Sequence, residues 1–140
     1  MSLDQRAALA LDPPERIVLT SPEDIVSWAR SISDFGLVPE VFALFLDDDR
    51  ALMRAVWLSE QISFDDFCSW PDFALGYAPS SWVGGVVLLV CRPDEEPDPT
   101  LADAETWDLM RLAHDAHGIP LLDVVMVDGE EWVSLAERLP

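Results

Sequence analysis

Two histidines, His114 and His117, stand three apart at the end of an apolar-patterned segment, with Asp115 between them. That spacing on a helix can offer two imidazoles to one metal ion, although the sequence supplies no third and fourth ligand of suitable placement. The dipole at a helix C-terminus favours histidine on its own account. A second group of chemistry-bearing residues is the run Cys91-Arg92-Pro93-Asp94-Glu95-Glu96-Pro97-Asp98-Pro99-Thr100. Its acids suit a hard cation such as calcium or magnesium, and equally suit solvent. Cys91 is a nucleophile only with a base beside it, and no histidine lies close in sequence. Its other reading is a core residue at a strand end. Thr100-Leu101-Ala102-Asp103 has the spacing of a capping box, in which Thr and Asp satisfy two orphan donors at a helix start. Asp47-Asp48-Asp49 lacks the glycine and distal glutamate of a calcium loop and reads as a solvated turn.

The elements that must position these residues follow from periodicity and punctuation. Ser21-Pro22-Glu23-Asp24 starts a helix with Ser at the N-cap, and Ile25, Trp28, Ala29 and Ile32 recur on one face until Gly36. Residues 41–46 and 51–58 read as two strands of a hairpin around the acidic turn. The segment 59–82 is dense in aromatic residues and expected to be core. Residues 83–90 form a buried strand. Residues 101–117 form a helix ended by Gly118, with Leu109, Leu112, Ala113 and Ala116 as its inward stripe. Residues 120–127 and 132–135 are two more strands around the turn signal Asp128-Gly129. The order predicts an α/β domain with a mixed sheet flanked by helices. Residues 1–16 read as a loose lead-in, and 17–140 as a single domain.

Composition bounds the partners. The chain has 140 residues, half of them hydrophobic, enough for a real core. Its net charge is −19, from 27 acidic and 8 basic side chains, all of the latter arginine and none clustered. Such a field disfavours direct binding to nucleic acid and to anionic membranes. It permits a basic partner protein. The apolar runs are too short to span a membrane. Residues Met1 to Gln5 lack the pattern of an export signal, so a cytoplasmic location with both cysteines reduced is expected.

Three blocks carry a resemblance to a known family. They are Ser21-Pro22-Glu23-Asp24 before a helix, Asp98-Pro99-Thr100 between a strand and a helix, and Ile119-Pro120-Leu121-Leu122-Asp123 followed by Asp128-Gly129 and Trp132-Val133-Ser134-Leu135. The last block is the most specific. Together they resemble the RadC-like JAB domain of the JAMM/MPN metallopeptidase fold, over residues 17–138. The resemblance implies the three-layer, cytidine-deaminase-like architecture of that fold, and a homodimer, since such domains often pair.

In that family a zinc ion is held by a motif written H-x-H, seven residues, S-x-x-D, and a glutamate on an earlier strand is the general base on zinc-bound water. Two imidazoles and a carboxylate leave the fourth zinc position for water, whose pKa the metal lowers. Carried onto this chain without gaps, the histidine positions fall on Val90 and Arg92, the serine position on Thr100 and the aspartate position on Asp103. A shift of two residues gives Arg92 and Asp94 instead. Neither register supplies a histidine, and an arginine is a permanent cation. The base position falls near residues 56–58, with Glu60 the nearest acid. The expectation is a catalytically inactive domain without zinc or other cofactor, acting as a protein-interaction module. Arg92 beside Asp103 could replace the metal by a charge-assisted pair. An alternative is a hydrolase built on acids such as Glu60, Asp94 or Asp103. A third reading is a DNA-repair-associated role without direct DNA binding.

Overall fold

The computed structural model describes residues 10–11, 15–32, 40–57, 83–91, 99–116, 118–127 and 131–139. In chain order the elements are β1 (Ala10–Leu11), α1 (Pro22–Ile32), β2 (Glu40–Leu46), β3 (Leu52–Trp57), β4 (Gly85–Cys91), α2 (Leu101–Ala116), β5 (Leu121–Val127), β6 (Trp132–Ser134) and α3 (Leu135–Arg138). The strands form one mixed sheet in the order β1-β3-β2-β4-β5-β6. β2 pairs antiparallel with both β3 and β4, β4 runs parallel to β5, and β6 folds back antiparallel on β5. The parallel pair needs a crossover, and α2 lies in the chain between its two strands.

β4 is buried along its whole length, as its apolar sequence requires for a strand covered on both faces. Val86, Leu88 and Val90 join a core with Trp107 and Met110 of α2 and Leu135 of α3. The alternate residues Val87, Leu89 and Cys91 join a second core with Ile25, Trp28 and Ala29 of α1. Helices therefore cover both faces, and Cys91 is a buried residue at a strand end.

The first helix starts as its sequence dictates. Ser21 Oγ accepts from the Asp24 amide at 3.2 Å. Asp24 Oδ2 reaches back to the Thr20 amide at 3.1 Å and the Thr20 hydroxyl at 2.9 Å. The acidic turn is also local in origin. Asp47 Oδ1 accepts from the amides of Asp49 and Ala51, each at 2.9 Å, and Arg50 adopts a φ of 64°. Asp48 and Asp49 are exposed, as a solvated turn implies.

Three expectations need correction. The lead-in is not loose throughout, because Ala10 and Leu11 pair with Val56 and Ala55 as an edge strand. Leu135 does not continue the last strand. Ser134 caps a short helix there, its side chain accepting from the Glu137 amide. The inward stripe of α2 is also not the leucines. Leu109, Leu112 and Ala116 face solvent, whereas Asp103, Thr106, Trp107, Met110 and His114 face the sheet. The side chain of Ala113 is outside the described set, as are the side chain of Ile32, Gly36 and the aromatic segment 59–82.

Gly84 sits where the hairpin turn closes on β4. A Cβ there would lie 2.8 Å from the backbone carbon of Asp47 and the backbone nitrogen of Asp48. Backbone cannot swing away as a side-chain tip can. Gly84→Ala is expected to lower stability by about 1–3 kcal/mol, the usual range for overpacking. An unchanged urea midpoint would contradict this contact.

Candidate functional site

The positions that the family resemblance points to are Val90 at the end of β4 and Thr100 and Asp103 at the start of α2. Val90 is buried, pairs with Val41 and Met126 in the sheet, and packs in the core shared with Trp107 and Met110. It offers no lone pair to a metal. Thr100 and Asp103 form a reciprocal cap. The Thr100 amide donates to Asp103 Oδ2 at 2.9 Å, and the Asp103 amide donates to Thr100 Oγ1 at 3.1 Å. This is the capping box read from the spacing. The Asp103 carboxylate is buried beneath the first turn of α2, in the position where an acid also complements the helix dipole. These residues do not fit a zinc ion. Val90 is an apolar core residue, and an oxygen of Asp103 is committed to the helix terminus. Val56, in the region of the family's base, is likewise buried core. Arg92, Asp94 and Glu60 lie outside the described residues.

His114 is fully buried, and its Nδ1 lies 2.8 Å from the Met110 carbonyl oxygen. A proton on Nδ1, donated to that carbonyl, satisfies the contact. His114 thus points into the domain rather than toward a surface metal site, and His117 lies outside the described residues. Among the described residues, no group of three or more His, Cys, Asp or Glu side chains is placed to hold a metal.

Among the described residues, a more developed polar cluster lies elsewhere, in the block that carried most of the resemblance. Asp123 in β5 is buried and accepts three hydrogen bonds. The Ser134 hydroxyl donates to its Oδ2 at 2.5 Å, and the amides of Val124 and Ala136 donate to its Oδ1 at 2.7 and 3.0 Å. Ser134 Oγ in turn accepts from the Glu137 amide at 3.4 Å. The aspartate of Ile119-Pro120-Leu121-Leu122-Asp123 is thereby tied to the serine of Trp132-Val133-Ser134-Leu135. Burial raises the Asp123 pKa above its ordinary value, although the hydrogen bonds from Ser134, Ala136 and Val124 pull the other way. The cluster ties the end of β6 and the start of α3 to β5. Trp107 Nε1 completes the same corner by donating to the Leu139 carbonyl at 3.1 Å. The spacing Ser134-Leu135-Ala136-Glu137 is itself a capping-box signal, and it could have located α3.

No protein-family model matches this sequence, and no curated protein sequence matches it.

Proposed function

We propose that the chain is a RadC-like JAB domain that has lost its metal site and acts as a protein-interaction module. The α/β sheet with helices on both faces, and the hydrogen bond that joins the two most specific motif segments through Asp123 and Ser134, support the family reading. The observation that carries the loss of activity is the Asp103 carboxylate. At the position where the family places a zinc ligand, it caps its own helix through Thr100. With Val90 in the core, the first histidine position is apolar as well. An enzyme of this kind needs a metal-activated water beside a general base. The residues at these positions supply neither. What such a domain keeps is its surface, which is strongly acidic overall.

The test is metal content and cleavage. Protein purified without chelator is expected to carry no stoichiometric zinc and to leave an isopeptide-linked substrate intact after zinc is added. One zinc per chain with cleavage that chelator abolishes would overturn the reading.

A further inference from the structure

We infer that the outer face of α2 is a docking surface for a basic, amphipathic helix of another protein. This deepens the interaction-module reading and rests on it, because it names the surface and the chemistry of the partner.

Four large apolar side chains are exposed among the described residues, and three of them lie on α2: Leu101 at 77 %, Leu109 at 52 % and Leu112 at 67 %. At about 100° per residue these three fall within an arc of about 80°, over about 16 Å of helix. Single exposed leucines are ordinary, whereas three gathered on one side of one helix suit an interaction surface. The stripe is not a by-product of a helix that is apolar all round. The opposite face of α2, which meets the sheet, contains the polar residues Asp103, Thr106 and His114. Polar side chains are turned inward while three leucines are left outside.

Charge complementarity selects the occupant. Glu105, Asp108 and Asp115 are exposed on the same outer side of α2. Arg111, the one arginine of the helix, is held over the Trp107 ring at 4.9 Å and pairs with Asp108 at 2.8 Å. Glu105 therefore stands within the arc of the leucines, between Leu101 and Leu109, and Asp108 and Asp115 border it along one edge. A second copy of the chain would bring the same acidic border and a further net charge of −19 to the contact. A helix with an apolar face flanked by lysine or arginine would bury the leucines and pair with the acids, the helix-to-surface mode in which apolar anchors supply affinity and charges supply steering.

The experiment uses the full chain and a synthetic 18-residue peptide with leucines on one helical face and lysines beside them, read by fluorescence anisotropy. A charge-matched peptide with serine for leucine is the control. The expected result is saturable binding of the leucine peptide, weakened about tenfold or more by Leu109→Ser with Leu112→Ser at unchanged melting temperature. The serine peptide is expected to bind no better to wild type than to the double variant. Equal affinity of the leucine peptide for both proteins would overturn the proposal. So would concentration-dependent dimerisation, seen by sedimentation, that the double substitution abolishes, since the occupant would then be a second copy. Zinc uptake is measured on the same samples. Failed peptide binding without zinc removes the docking surface and leaves the silent-domain reading standing, whereas zinc uptake with intact binding does the reverse.

Discussion

Asp123→Ala is expected to destabilise the domain by about 3 kcal/mol, measured as a shift in the urea midpoint at unchanged slope. The substitution removes the acceptor for the Ser134 hydroxyl and for the amides of Val124 and Ala136 at once. Each buried donor left without a partner costs about 1–3 kcal/mol, and the loss of a desolvated carboxylate offsets part of the sum. Asp123→Asn keeps one carbonyl oxygen and is expected to cost less. The two variants also separate charge from hydrogen bonding through pH. The folded-state pKa of Asp123 is raised, chiefly by burial. A raised carboxyl pKa contributes stability that is fully present below the ordinary value of 3.8 and is lost as pH rises through the folded value. The stability advantage of wild type over Asp123→Asn is therefore expected to shrink as pH rises from below 3.8 toward neutrality. Asp24 acts in the opposite sense. Its pKa is lowered, first by the Thr20 hydroxyl and then by the Thr20 amide, so its contribution is present above 3.8 and lost as pH falls through the folded value. A wild-type advantage that grows with pH would show that the Asp123 environment favours the charged form.

Phe45→Ala is expected to cost about 3–5 kcal/mol, the range for deleting a buried aromatic side chain. Phe45 lies in β2, between β3 and β4, opposite Arg54 and Val86, and is completely buried. Its ring belongs to the core that also holds Val90, Trp107 and Met110. The cavity would open beside β4, the strand that holds Val90. A loss below about 1 kcal/mol would contradict a rigid, enclosed core around this ring.

The alternation of apolar residues and the local capping signals made much of the fold legible in advance. The hairpin around Asp47, the buried β4 run and the helix from Leu101 to its Gly118 end all stand where the sequence puts them. Gly118 has a φ of 74°, its amide donates to the Asp115 carbonyl and the Ile119 amide to that of His114, a Schellman termination that glycine favours. The inward face of α2 was not legible from apolarity. Leu109 and Leu112 satisfy a helical stripe, yet Trp107 and Met110 define the face that meets the sheet. What decides between the two faces is a tertiary fact. Buried Asp103 and His114 find backbone partners within their own helix, which lets polar residues occupy the inner face. β1 was missed because two residues leave no period to read. The Asp123 cluster was missed because its members lie eleven residues apart and meet only after β6 folds back on β5. The Thr100–Asp103 cap, being local, was readable from spacing alone.

Under the proposed reading no zinc binds at Asp103 and Thr100, and their backbone amides report on this directly. In a zinc titration of isotope-labelled protein followed by NMR, both amide resonances are expected to stay in place at one equivalent of zinc, with the Asp103 carboxylate still accepting from Thr100. Saturable movement of both resonances, complete at one equivalent and reversed by chelator, would contradict the account.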